Sequence, residues 1–132
     1  MKKNILIISN DKLNIQGDKI SADYNDVINI IESLSEKNHL DFLCRLEYGF
    51  KHFISQKKNY KNFFKINLLD LKKKIKDYKI FMISITPYNF IIFLILKFFK
   101  NKINGYVYLR SDGYKEYLYK YGYLGEITYG FM

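Results

Sequence analysis

An α/β fold wound around a mostly parallel sheet is what this chain predicts, and three observations lead there. Short apolar runs at Ile5 to Asn10, Lys79 to Ile85 and Gly105 to Arg110 are each cut off by a polar or glycine-bearing turn. Between such runs, apolar residues recur at helical spacing, as in Tyr24, Val27, Ile28, Ile31 and Leu34. At 132 residues there is room for one compact domain, spanning 1–132, and not for two.

The elements follow in order. The first strand, ILIISN, comes directly after the start Met. The polar stretch from Asp11 to Ala22, with Gly17 as its single glycine, reads as a loop. A crossover helix through Tyr24 to Leu34 precedes a second strand at His39 to Cys44. A weaker third strand, Phe63 to Ile66, follows an irregular stretch from Leu46 to Tyr60. Leu68, Leu71, Ile75 and Tyr78 share helical spacing, which places Lys72, Lys73, Lys74 and Lys76 on the solvent face of a docked helix. The fourth strand, Lys79 to Ile85, ends at Thr86-Pro87, a helix-start signal because proline's fixed φ and missing N–H suit the first turn. The helix from Tyr88 to Phe99 is apolar nearly all round, implying burial on two sides or contact with a lipid surface. The fifth strand, Gly105 to Arg110, gives way at Ser111-Asp112-Gly113 to a helix carrying Tyr114, Tyr117, Leu118 and Tyr121. Parallel strands gather their carboxyl ends along one edge, where ligands bind. Function is therefore sought at Asn10, at Ser84 to Pro87 and at Arg110 to Gly113.

The net charge of +9 invites a nucleic-acid reading, but only Arg45 and Arg110 among the 22 basic residues are arginines. Base readout and bidentate phosphate clamps favour the planar guanidinium, so no nucleic-acid partner is expected. Lysines suit a solvated surface and attraction to an anionic membrane. Ile80 to Leu96 is uncharged and, with Phe98 and Phe99, approaches the length of a membrane span; Pro87 and Asn89 in its middle favour a strand followed by a helix instead. No signal peptide is visible after Met1-Lys2-Lys3. Cys44 is the only cysteine, so no intramolecular disulfide forms, and a reduced thiol in an apolar run fits the cytoplasm.

The chain has no GxGxxG, GxxxxGK[ST], CxxC or HExxH, which removes the usual support for dinucleotide, P-loop and zinc chemistry. His39 and His52 read as structural or surface residues, and no metal site is expected. A triad of Ser111, His52 and Asp112 can be drawn, but Ser111 lacks the G-x-S-x-G elbow. At the fifth strand's tip, the fork of Arg110 suits a phosphate or carboxylate and Asp112 can accept from sugar hydroxyls. Ser111 and Gly113 offer backbone N–H groups at a helix start. The alternative is structural: Asp112 caps the helix and Arg110 pairs with it, while the tyrosines pack.

The strand spacing, the stretch YLRSDGYKEY (residues 108–117), the long first loop and the helix through Ile31 resemble the amino-terminal domain of a bacterial GT-B glycosyltransferase of the family 4 type. The resemblance covers nearly the whole chain and rests on spacing and one local stretch. It implies a Rossmann-like three-layer α/β/α sandwich whose mostly parallel five-stranded sheet has the order 3-2-1-4-5, forming half of a GT-B enzyme. It also implies that the carboxy-terminal domain holding the nucleotide-sugar is missing, so that the chain is a fragment, inactive alone. Substrate contacts transfer by position: Asn10 to Gly17 as a lid over the cleft, Thr86 and Tyr88 on the acceptor side, and Arg110, Ser111 and Asp112 at the cleft edge. Arg110-Ser111-Asp112 stands where many relatives carry a histidine, so no catalytic residue is assigned. The implied reaction is metal-independent and uses no cofactor beyond the nucleotide-sugar substrate. The expected function is transfer of a sugar to a glycan or lipid-linked acceptor in cell-surface polysaccharide synthesis, in the cytoplasm at the inner face of the membrane. The alternative is a stand-alone flavodoxin-like or receiver-like binding module without transferase activity.

Overall fold

The computed structural model describes residues 3–16, 19–46, 53–55, 72, 75–100, 102–110 and 113–131. Its strands are β1 (Lys3–Gln16), β2 (Lys19–Ala22), β3 (Asn38–Leu46), β4 (Phe53–Ser55), β5 (Tyr78–Ile83) and β6 (Gly105–Tyr108). Its helices are α1 (Asn25–Ser35), α2 (Pro87–Phe99) and α3 (Gly113–Phe131), and a short 3-10 turn covers Ile75–Asp77. The fold is α/β with an open, mostly parallel mixed sheet.

The core is centred on β1. Its run Ile5 to Ile8 is apolar at every position because both faces of the strand are covered, as parallel sheets require. Alternate side chains enter separate clusters. Ile5 and Ile7 pack with Val27, Ile28 and Ile31 of α1, whereas Leu6 and Ile8 pack with Ile75 and with Leu96 of α2. β1 pairs in parallel with β3 (Ile5 to Leu40, Ile7 to Phe42) and with β5 (Leu6 to Ile80, Ile8 to Met82). β6 adds in parallel to β5, placing Gly105 against Ile80. A Cβ on Gly105 would sit 2.4 Å from the Ile80 carbonyl oxygen, so this close approach needs glycine.

The sheet departs from the expected five-strand order 3-2-1-4-5. The path is β4-β2-β1-β5-β6, with β3 also on β1. The cause lies in residues 11–22, expected as a polar loop with Asn10 to Gly17 as a lid. β1 instead continues to Gln16 and pairs antiparallel with β2, from Leu13 with Ala22 to Gln16 with Lys19. Leu13, Ile20 and Ala22 are buried there, and Ser21 and Asn14 are buried with them. The alternation of Leu13, Ile15, Ile20 and Ala22 on either side of Gly17-Asp18 is a hairpin pattern, which the many polar residues between them obscured. β4 extends this arm antiparallel to β2. The expected third strand, Phe63 to Ile66, lies outside the described residues, as does most of the expected helix from Leu68; Tyr78 opens β5 rather than ending that helix.

α2 begins at Pro87 as expected. Thr86 caps it, its hydroxyl accepting from the Asn89 N–H at 3.2 Å. With 13 residues it is too short to span a membrane, and among the described residues no helix is long and apolar enough to do so. α3 is broken at Gly122, whose φ of 64° and ψ of −157° divide it into two helical pieces.

Candidate ligand cleft

The middle of β1, just past its last parallel pairing with β5, and the carboxyl ends of β5 and β6 open on one cavity of about 820 Å³. Asn10 and Asp11 enter it from β1, Ile83 to Pro87 from the turn after β5, and Leu109 and Arg110 from the end of β6. Tyr24 closes one side, and the α3 residues Glu116, Lys120, Tyr121, Leu124, Gly125 and Thr128 form the opposite wall.

A slip in the ladder aims the β1 residues. β1 pairs Ser9 with Cys44 and then Lys12 with Arg45, so Asn10 and Asp11 are extra residues opposite a continuous β3. Such irregularities redirect side chains next to functional sites. Here the Ser9 hydroxyl donates to Asp11 Oδ2 at 2.8 Å and accepts from the Asp11 N–H at 3.1 Å, which holds the carboxylate in place.

Arg110 reaches that carboxylate across the tip of β5. Its Nη1 donates to both Asp11 oxygens at 2.9 and 3.1 Å, while Nε lies 2.8 Å from Asp26 Oδ2 and Nη2 donates to Asp26 Oδ1 at 3.4 Å. The guanidinium also stacks 4.2 Å over the Tyr24 ring. One cation thus faces two carboxylates, leaving the cluster negative by one charge. The fork that suggested an anion site is committed to Asp11 and Asp26. On the far wall, Lys120 pairs with Glu116 at 2.6 Å.

The floor is the turn after β5. Ser84 has φ of 63°, which is unusual outside glycine and stores strain of about 1–3 kcal/mol. Three hydrogen bonds hold it. The Ser84 N–H donates to the Tyr108 carbonyl at 2.8 Å, and the fully buried Asn89 donates through Nδ2 to the Ile83 and Ser84 carbonyls at 2.7 and 2.9 Å. Asn89 Oδ1 has no partner.

The structure therefore brings Asn10, Thr86 and Arg110 together, with Thr86 engaged as the α2 cap. It does not place Tyr88 on the cavity wall. Burial raises the Tyr88 hydroxyl's pKa, the nearby Cys44 adds to the rise and Arg45 opposes it. Gly17, Ser111, Asp112 and His52 lie outside the described residues. His39 pairs with Asn4 at the amino ends of the strands, the edge opposite the cleft. Burial, then the charge of Asp11, pushes the Cys44 thiol up to about 12, so it is no nucleophile near neutral pH. Among the described residues no cluster of three or more His, Cys, Asp or Glu could hold a metal.

Asp11, Tyr24 and Asp26 were not singled out from the sequence as cleft residues. Nothing local marks them, since Asp11 sits in the stretch read as loop and Asp26 looks like an ordinary first-turn acid of α1. Ser84 was legible as a strand tip, but its positive φ and its Asn89 support were not. Comparison with protein-family models, curated proteins and solved structures gives no match to this chain.

Proposed function

We propose that the cleft binds a polyhydroxylated ligand, and that the chain is the acceptor-side domain of a two-domain GT-B glycosyltransferase with a Rossmann-like three-layer architecture. The enzyme would move a sugar from a nucleotide-sugar to a glycan or lipid-linked acceptor of the cell surface. The observation that carries this reading is the chemistry of the wall. Asn10 and Ser84 line it with neutral polar side chains, Thr86 and Thr128 add hydroxyls already bonded to the Asn89 N–H and the Leu124 carbonyl, and Tyr24 and Tyr121 add aromatic surface, a combination that suits sugar hydroxyls and their apolar ring edges. The lining cations Arg110 and Lys120 are engaged by carboxylates, which leaves them poorly disposed toward a diphosphate. Donor phosphates would then be held by the other domain, with sugar hydroxyls met here.

Titration calorimetry with UDP- and GDP-sugars, beside saturation-transfer NMR with short oligosaccharides, tests this. Nucleotide-sugars should bind no tighter than about 1 mM, roughly −4 kcal/mol, while oligosaccharide protons show contacts that Ser84→Ala weakens. A nucleotide-sugar Kd near 1 μM, roughly −8 kcal/mol, would mean that the donor site is whole in this chain and the two-domain reading fails. A flavodoxin-like or receiver-like module without transferase activity predicts no sugar contact at all.

A further inference from the structure

The far end of α2, at the sheet edge opposite the cleft, gathers lysines beside the partly buried Phe99 and the exposed Phe98. Lys72 Nζ lies 5.9 Å over the Phe99 ring, and Lys100 Nζ donates to the Ile75 and Lys76 carbonyls at 3.4 and 3.1 Å. These contacts draw Lys72, Lys76 and Lys100 to one place, with Lys97 and Lys102 beside them in sequence. Asp77 is the only acidic residue between Lys72 and Arg110. Phe98 projects from this basic end with 85% of its surface exposed and meets Phe99 edge to face at 6.1 Å. Ile91 and Leu94, 57% and 49% exposed, continue the same stripe, because positions i, i+3 and i+7 share one helix face.

We propose that this face docks on an anionic lipid bilayer, with Phe98, Leu94 and Ile91 entering the headgroup boundary and the lysines meeting lipid phosphates. Charge complementarity selects the occupant. An apolar stripe rimmed by lysine matches an interfacial helix, which sinks its apolar side a few ångströms while its basic rim pairs with headgroups. A nucleic-acid backbone would leave the stripe without a partner, and the basic rim contains no arginine. α2 runs from the cleft at Thr86 and Pro87 to this tip, so docking leaves the cleft uncovered. The inference does not depend on the cleft's ligand.

Co-sedimentation with phosphatidylcholine vesicles, with and without phosphatidylglycerol, tests it. The chain should sediment with the anionic vesicles alone and be released when salt rises from about 0.05 M to about 0.5 M. Phe98→Ser should lower the partition roughly tenfold, and Lys72→Gln and Lys102→Gln about fivefold each. Leu94→Gln provides a second apolar variant, and unchanged circular dichroism confirms that each protein is folded. Equal binding to uncharged vesicles, no binding to anionic ones, or indifference to both apolar substitutions would overturn the proposal. So would tighter binding to a DNA oligonucleotide than to vesicles.

Discussion

β5 and β6 lie side by side, run parallel and are both mostly apolar, yet one is core and the other is surface. Ile80, Met82 and Ile83 of β5 are at most 7% exposed, whereas Tyr106, Val107 and Tyr108 of β6 are 64%, 49% and 39% exposed. Apolar composition is therefore not what decides burial here. β5 is paired on both sides and contributes to the clusters on both faces, while β6 has β5 alone as a described strand neighbour. α3 follows β6 and leaves Tyr119, Tyr123, Leu124 and Phe131 largely exposed. What the two strands share is the edge that matters: the Ser84 N–H is bonded to the Tyr108 carbonyl, so the exposed strand holds the strained turn on the cleft floor.

The sharpest way to break the comparison is to truncate one side chain on each strand. Ile83→Ala should cost about 2–5 kcal/mol, because it leaves a cavity in a packed cluster, and Val107→Ala within about 0.5 kcal/mol; urea titration reads both. Equal costs would mean that β6 is covered in solution. Next comes Arg110→Ala. Removing the guanidinium leaves Asp11 and Asp26 facing each other half-buried, with an expected loss of about 1–3 kcal/mol and faster exchange of the Ser84 amide. Arg110→Lys should restore little of it, since an ammonium cannot fork to two carboxylates. A silent Arg110→Ala would show that the end of β6 is not tied to β1.

The effect confined to the narrowest conditions is alkaline and belongs to the core side. The Cys44 thiol is raised from 9.0 to about 12, chiefly by burial. The Tyr78 hydroxyl, which donates to Asp41, is raised as well, by burial first and that bond second. Above about pH 9 the unfolded chain releases the thiol proton while the folded chain keeps it, so the unfolded state binds fewer protons and stability falls. This contribution is fully present below pH 9 and is lost as pH rises toward about 12. Urea midpoints should decline across that range, and Cys44→Ala should flatten part of the slope; a midpoint indifferent to pH there would show that the thiol is solvated.

Much of the fold was legible because its signals are local. The continuous apolar run of Ile5 to Ile8 marks a strand covered on both faces, the spacing of Val27, Ile28 and Ile31 marks a helix, and Thr86-Pro87 marks the start of α2 within a residue. Each depends on neighbours a few positions away, where backbone sterics and side-chain period act. The β1–β2 arm was missed although its alternation was present, because polar content outweighed period in residues 11–22.

The cleft depends on contacts that no local pattern encodes. Arg110 meets Asp11 across 99 positions and Asp26 across 84. That meeting requires the sheet to set the end of β6 beside that of β5, and the slip after Ser9 to swing Asp11 out of the ladder. The sequence by itself determined the first part of β1, the strands β3, β5 and β6, and the helices α1 and α2, since these follow from short-range periodicity. Only the tertiary structure decided that Arg110 is neutralised, that the Ser84 turn at positive φ is bonded to Tyr108, and that Lys72 lies over Phe99 beside the exposed Phe98. Each of these is a balance of charge, strain or exposure between segments that become neighbours only when the chain is folded.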